Sequence, residues 1–480
     1  MSVTLRDYQH DALDRVRDAY RSGARAPLLV LPTGGGKTVC FSAVVSSAAQ
    51  RGNSALVMAH RRELVRQASA KLSDAGVPHG IIAPGFSQTA DIVQVGSIQT
   101  LGRRTERLRR FDLIIPDEAH HATAGQWKSL IQSQPDAKLL GVTATPERLD
   151  GKGLGVECGG PFDALVVGTS VNDLMDDGYL VTAHVLAPSE APDLSRVATV
   201  RGDFSTAGLE AAMGATLTGD AVKHYAKYAD GLPAIAFCTT VAHARDVAET
   251  FRAAGYRAVA ADGTTPTPIR DAAIAGLASG SVQVLCTCDL ISEGLDVPAV
   301  SAVILLRPTQ SLGLFLQQVG RGLRCVYAPG DYSTRIGRLN AIAGSKKPRL
   351  IVLDHAGNTL RHGLIETVRD WTLEGRKARA KKDTPPPTWR CFRCFAVQAP
   401  AQRCRDCGTE RPAGEIRRLN QVEGELVAVD PARAHFLRAE PLAKLLKAAT
   451  TDASLREIAK ARGYKPGWVF HQKQEMRRAR

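Results

Sequence analysis

From residue 27 onward the chain alternates short apolar runs with amphipathic stretches. "PLLVLP" (27–32) reads as a buried strand and "TVCFSAVVSSAAQRG" (38–52) as a helix closed by Gly52. "SALVMAH", the helix "RRELVRQASAKLSDAG", "IVQVGS", "FDLIIP" and "KLLGVTA" continue the series. After residue 230 the pattern returns in "PAIAFCTT", "RAVAAD", "VQVLCTC", "AVSAVILL" and "RLIVLD", with helices such as "VAHARDVAETFRAAG" between them. Strands alternating with helices predict parallel sheets covered on both faces, here in two lobes of similar style.

The pattern weakens at residues 186–228, which connect the lobes, and at 326–348, a polar, basic insertion before the last strand. It breaks at "EGRKARAKKDTPPPT", where basic residues and three prolines disfavour a helix. Short helices are expected again in "PLAKLLKAAT", "SLREIAKARG" and "PGWVFHQKQEMRRAR", with Gly463 ending one and Pro466 starting the next. The boundaries read as lobe 1 at 1–185, a connector at 186–228, lobe 2 at 229–370, a basic linker at 371–388, a cysteine-rich module at 389–410 and a basic helical region at 411–480.

Charge sharpens this division. Residues 371–480 hold 24 Lys and Arg against 12 Asp and Glu, while residues 1–370 hold 38 against 36. A nearly neutral body carrying a basic tail fits a polyanionic partner; a solvated basic face that aids solubility is the alternative. No run of 18 or more apolar residues occurs, so no membrane span is expected. The start "MSVTLRDYQHDALDRV" lacks the apolar core of a secretion signal, and a cytoplasmic location is expected. Six of the ten cysteines are scattered, mostly in apolar runs, where free cysteine acts as a small hydrophobe.

The chemistry concentrates at the strand ends. "LPTGGGKT" (31–38) has the second half of a phosphate-binding loop but Leu31 at the first glycine position. The strand before it and the helix after it supply the required context. Thr33, Gly34, Gly35 and Gly36 would turn backbone N–H groups toward phosphates, Lys37 would reach the β/γ-phosphates, and Thr38 would hold Mg²⁺. "FDLIIPDEAHH" sets Asp117 and Glu118 just past a buried strand, where a phosphate-loop ATPase keeps its magnesium ligand. Asp117 would bind the metal and Glu118 would activate water. Pro116 removes a strand-end donor, so local pairing there is expected to differ.

The string Asp117-Glu118-Ala119-His120 is a DEAH box, and most of residues 1–370 resembles the superfamily 2 helicases, in which the first loop position is often not glycine. The resemblance implies two tandem RecA-like parallel-sheet lobes of α/β class binding ATP between them. "LRDYQ" resembles the adenine-recognition segment, with Gln9 reading the adenine edge and Arg6 or Tyr8 near the base. "AHRRELVRQ" (59–67) and "GSIQT" (96–100) resemble motifs Ia and Ib, which contact the nucleic-acid backbone. "VTATPER" (142–148) resembles motif III, with Thr143 and Thr145 coupling hydrolysis to movement. "CTCDLISEGLDVP" (286–298) resembles motif V, bringing Thr287, Gly294 and Asp296 to the cleft. "QQVGRGLR" (317–324) resembles motif VI, with Gln317 and with Arg321 and Arg324 as fingers on the γ-phosphate.

In the tail, Cys391, Cys394, Cys404 and Cys407 form C-x₂-C-x₉-C-x₂-C, two thiolate pairs suited to a closed, structural Zn²⁺ site. Redox-active pairs are the weaker rival, because both halves share one spacing. With "VLDHAGNTLRHG" and "ARGYKPGWVFHQ", the cluster resembles the RadD group of bacterial DNA-repair helicases and their phage relatives. That resemblance implies DNA as track, single-stranded, forked or branched, a role in repair or recombination, a bacterial or phage-encoded protein, and single-strand-binding protein as a candidate partner. Arg376, Lys377, Arg379, Lys381 and Lys382 would add phosphate contacts. Trp389, Phe392, Phe395 and Trp468 either stack on bases or, for most of them, pack in a core. An RNA helicase, a duplex translocase that does not unwind, and an idle DNA-binding protein are the other readings.

Overall fold

A computed structural model of the 480-residue chain describes residues 4–87, 89–148, 151–188, 194–195, 197–200, 202–213, 216–288, 297–374, 388–411, 436–449, 451–464 and 467–478. The chain forms two compact units, residues 1–411 and 412–480. Every strand expected from the apolar runs is present.

In the first lobe all strands are parallel. Gly80–Ile82, Val93–Ser97, Ala55–Ala59, Leu113–Pro116 and Lys138–Leu139 lie side by side. Gly141–Thr143, Pro27–Val30 and Ala164–Val167 follow. A bridge between Asp117 and Val142 joins the two sets. The ladder gap between the pairs Ile114–Leu139 and Asp117–Val142 falls beside Pro116, which has no N–H to donate. On its other side the strand pairs normally, and the Asp117 N–H reaches Met58 O at 2.9 Å. Proline therefore interrupts one edge of the strand without displacing the acids that follow it.

The second sheet runs Ala258–Asp262, Val284–Cys288, Ala234–Phe237, Ala302–Leu305, Arg349–Asp354 and Thr182–Leu186, all parallel. Thr182–Leu186 precedes the connector, yet it belongs to the second sheet. Its outer edge is extended by antiparallel Ala396–Gln398 and Trp389–Arg390, so the cysteine module continues this sheet. Asp406 fastens it further, 3.0 Å from His184 Nδ1 and 3.2 Å from Arg349. The insertion at 326–348 contains the helix Arg335–Ala343, capped by the Thr334 hydroxyl. The connector contains a short hairpin, Thr199–Val200 with Asp203–Phe204, and the helices Thr206–Met213 and Thr216–Tyr228. After lobe 2 the chain returns to the first lobe, where Leu373 O accepts from Gly155 N–H.

In the second unit Leu442–Ala448, Asp452–Arg462 and Gly467–Arg478 are helical. Leu437, Leu445 and Ile458 pack together with Trp468 beside them. Gly463 ends the middle helix in a left-handed conformation. No helix among the described residues is long and apolar enough to cross a membrane. The linker basic residues 376–382, Pro466, Gly294 and Asp296 lie outside the described residues.

Candidate active site

The strand Pro27–Val30 delivers the loop 31–36 to the sheet's C-terminal edge. Leu31 is fully buried in the lobe-1 core, its N–H bonded to Thr143 O at 3.0 Å, so this position is a packing residue here. Gly34 and Gly36 take φ of 86° and 79°, the left-handed region where a Cβ is costly. Gly36 is the N-cap of helix Lys37–Gln50 and offers no side-chain cap, leaving first-turn N–H groups available to an anion. Thr33 packs against Gly320 of the second lobe, and Thr38 sits half-buried in the first helical turn. The Lys37 ammonium points back to Leu31 O at 3.5 Å. Burial pulls its pKa down, Glu118 and then Asp117 push it up, and Arg321 and Arg324 lower it again. Acids of the first lobe and arginines of the second thus act on one ammonium.

Asp117 and Glu118 are both buried. Glu118 is one of two non-glycine residues with positive φ among those described, at φ 50° and ψ 56°. Such a conformation costs a side chain roughly 1–2 kcal/mol, a strain found where function over-determines the backbone. Its N–H donates to Asp117 Oδ1 at 3.0 Å. Its Oε2 has no hydrogen-bond partner among the described residues and stands 3.5 Å from His120 Nδ1. The same His120 nitrogen lies 3.3 Å from Thr143 Oγ1. Thr143 Oγ1 in turn donates to Thr145 O at 2.9 Å. A side chain built on Gly313 would come within 3.0 Å of Thr145 Oγ1, so this chain of contacts ends on the lobe-2 helix Leu312–Gly320.

That helix carries the opposite wall. Ser311 caps its start, accepting from Leu314 N–H at 3.1 Å. At its end the bare Gly320 permits contact with Thr33, since a Cβ there would lie 2.6 Å from Thr33 Cβ. Gln317 and Arg321 are buried. Arg324 is half-buried, with its Cγ 3.9 Å from where a Cβ on Gly34 would be. A bridge to Leu180 and the 2.8 Å bond from Val181 N–H to Leu323 O hold the Arg321–Arg324 turn to the inter-lobe segment. Thr287 is fully buried, its hydroxyl without a partner among the described residues.

The N-terminal segment lies on the phosphate-binding loop. Gln9 accepts from Arg6 N–H at 3.0 Å, half of a capping box, and donates to Gly35 O at 3.4 Å. Tyr8 donates to the same oxygen at 3.2 Å. Two partners were not legible beforehand. The Tyr179 ring has Arg6 Cζ 4.4 Å and Arg338 Cζ 4.1 Å from its centroid, and it lies 5.4 Å from the Tyr8 ring. Neither Tyr179 nor Arg338 falls in a motif; proximity alone reveals them. A ring cluster of His60, His121 and Trp127 likewise backs the DEAH segment. Gln99 donates to His60 O at 2.8 Å, tying the segments resembling motifs Ib and Ia together.

The four tail cysteines converge. All four sulfurs lie within 4.8 Å of one another, with Cys391–Cys407 at 3.6 Å and Cys394–Cys404 at 3.5 Å. Four thiolates at about 2.3 Å from zinc stand about 3.8 Å apart, so the cluster is compatible with a zinc ribbon. Hydrogen bonding from Thr409 brings Cys407 down to about 6. Burial pushes the neighbouring Cys394 thiol up instead, so the cluster as a whole gains thiolate character only with a bound cation.

The family described as "Type III restriction enzyme, res subunit" matches residues 2–148, and the "Helicase conserved C-terminal domain" matches residues 219–326. A "51.5 kDa protein" of a Lactococcus phage is 30% identical over 469 residues, covering 90% of this chain and 95% of that one. The "Putative ATP-dependent helicase IRC3" of Saccharomyces cerevisiae is 31% identical over 343 residues, 67% of this chain, which spans about half (49%) of the yeast protein. Among solved structures, "ATP-dependent Type ISP restriction-modification enzyme LlaBIII bound to DNA" superposes with a TM-score of 0.51 at 16% identity. It covers 73% of this chain and 27% of its own, a likeness of fold.

Proposed function

The chain belongs to helicase superfamily 2, a nucleic-acid-dependent ATPase, and from that premise we propose that it is a DNA translocase or helicase of the DEAH-box kind acting in repair or recombination. The observation that carries this reading is the contact of the phosphate-binding loop with the arginine-bearing turn, Thr33 against Gly320 and Gly34 beside Arg324, which sets Lys37, Asp117 and Glu118 of one lobe opposite Arg321 and Arg324 of the other.

In this reading the loop N–H groups and Lys37 bind the β/γ-phosphates of ATP. Thr38 and Asp117 would hold Mg²⁺, which neutralises phosphate charge when bound. The orphaned Oε2 of Glu118 fits a group that takes a proton from attacking water. Arg321 and Arg324 stabilise charge on the transferred phosphoryl, with Gln317 beside them. Adenine is read from the Arg6–Tyr8–Gln9 side. The contacts from Glu118 through His120, Thr143 and Thr145 to Gly313 give hydrolysis a route to lobe movement. Open and closed lobes that differ in affinity for the strand make the movement directional.

DNA is favoured over RNA by the resemblance of the tail to the RadD group, while the basic charge of the tail fits either polyanion. The RadD grouping, the repair role and contact with single-strand-binding protein rest on the motif resemblance alone. The four cysteines take Zn²⁺ as a structural ion.

The decisive experiment compares ATP hydrolysis with no nucleic acid, single-stranded DNA, forked DNA and RNA, beside Lys37→Ala. Stimulation by DNA that vanishes in the variant supports the motor. Stimulation by RNA alone moves the track to RNA, and equal rates with and without every nucleic acid sink the motor.

A further inference from the structure

Away from the nucleotide cleft, a recess of about 390 Å³ opens between the second sheet, the helix Thr216–Tyr228 and the first cysteine knuckle. Lys223, Lys227 and Arg390 bring three cations to it. Tyr228 and Phe395 bring two rings. Lys227 Nζ lies 4.9 Å from the Tyr228 centroid and 6.0 Å from that of Phe395, and Arg390 Cζ lies 4.8 Å from the Phe395 centroid. The lining carboxylate, Asp354, is buried and already occupied, its two oxygens accepting from Asn358 N–H at 3.1 Å and Thr359 N–H at 2.6 Å. Among the described residues no carboxylate pairs with the three cations. The recess is therefore cationic and aromatic.

Phe395 carries a second, independent signal. Each knuckle turns at the residue after its second cysteine, and the two turns are alike. Gly408 N–H reaches Cys404 O at 2.9 Å with φ 69°, and Phe395 N–H reaches Cys391 O at 2.9 Å with φ 63°. Glycine adopts this conformation without penalty, while a phenylalanine is strained in it. Phe395 is 37% exposed, so part of its ring stays open to a ligand. A partly exposed ring at a position whose conformation glycine adopts without strain, with cations near it, points to a ligand that has a π-face and negative charge.

We propose that this recess binds a nucleotide of a single DNA strand, its base stacked on Phe395 and its phosphates held by Lys223, Lys227 and Arg390. The proposal rests on the DNA-motor reading and adds a holding point built by the ribbon and lobe 2 together. Stacking accepts any base, and the lysines read only the backbone, so the site is sequence-tolerant. Phe392, 59% exposed on the same knuckle, has no cation over its ring among the described residues and serves as an internal control.

The test uses the full-length, zinc-loaded protein with a fluorescein-labelled oligo-dT strand and an abasic strand of equal length, read by equilibrium anisotropy. Phe395→Gly is expected to weaken oligo-dT binding about fivefold or more while leaving the abasic strand's affinity unchanged. Its Tm should change little, because relief of the strained turn offsets the burial lost with the ring. Lys223→Ala and Lys227→Ala should weaken both strands and reduce the salt slope by roughly 0.7 each. Phe392→Gly should bind as the wild type does. The proposal is overturned if Phe395→Gly binds oligo-dT like the wild type, or if it loses both strands and Tm together. Wild-type protein that binds no DNA at all sinks the motor reading itself, a separate outcome.

Discussion

The two walls of the nucleotide cleft are made by different means. On the first lobe the main chain does the placing: Gly34 and Gly36 turn the loop, and the left-handed Glu118 swings its carboxylate inward directly after a buried strand. Few rotatable bonds separate those groups from the sheet. On the second lobe two arginines hang from the turn after the helix Leu312–Gly320, and they reach the cleft because Gly320 lets that helix press on Thr33. One wall has its shape intrinsically, whereas the other acquires its position only when the lobes meet. Nucleotide binding should follow the first wall and turnover the second.

The largest effects should expose that division. Arg321→Ala is expected to lower kcat on the order of 10³-fold with nucleotide affinity changed far less, whereas Lys37→Ala should remove binding and turnover together. Stopped-flow binding of a fluorescent ATP analogue alongside steady-state hydrolysis checks both. An Arg321 variant whose main defect is binding would break the comparison. Gly320→Ala comes next. Its methyl would stand 2.6 Å from Thr33 Cβ, so the helix must withdraw from the loop. A displacement near 1 Å at a catalytic group costs on the order of 10²-fold, so kcat should fall by about that much while ATP binding persists. An unchanged kcat would mean the helix does not set the arginines.

How much of this was legible beforehand follows the same split. The lobe-1 wall is nearly contiguous in sequence, so "GGGKT" and "DEAH" could be read directly, and the buried runs before them named their strands. Gln317, Arg321 and Arg324 were legible as a string; the two arginines act on the Lys37 ammonium, and Gln317 is buried on the helix before them. Hidden features were those made by non-local pairing. Thr182–Leu186 looks like the end of lobe 1 but completes the second sheet beside Arg349–Asp354, since a strand's pattern records burial and not its partner. Tyr179 sits between Arg6 and Arg338, residues far apart in sequence. The cysteine spacing announced the cluster, but nothing in it foretold that the ribbon would extend the lobe-2 sheet.

Acid should loosen the second wall selectively. His362 supports the base of the arginine-bearing helix, donating from Nε2 to Thr309 O at 2.8 Å and stacking on Phe315 at 5.5 Å. Burial lowers its pKa to about 4, with Arg361 and Arg369 also disfavouring the proton, against Thr309 O and Asp203, which favour it. The unfolded chain titrates near 6.5, so between these values it binds more protons than the folded one. Stability is fully present above about pH 6.5 and is lost as pH falls toward 4, by on the order of 2–3 kcal/mol. His362→Gln keeps an N–H donor without the titration and should flatten that part of the pH–Tm curve. An identical slope in the variant would assign the acid sensitivity elsewhere.

The smallest effect tests whether side-chain bridges help bring the walls together. Arg270 pairs with Glu63, and Arg66 lies 4.0 Å from Asp271, joining the lobe-1 helix Arg62–Asp74 to the lobe-2 helix Thr267–Ser279. Arg66 and Asp271 are about half exposed, so their attraction is screened and contributes little. Arg270 is better sheltered, at 13% exposure, with Glu63 at 36%. Glu63→Gln should therefore lower DNA-stimulated kcat/KM about two- to fivefold in low salt. If the pair acts by charge across the closing cleft, that deficit should shrink as the ionic strength rises toward about 1 M, where the Debye length is about 3 Å. A deficit that stays constant across the salt series would mean Glu63 contributes through its hydrogen-bond geometry rather than through its charge.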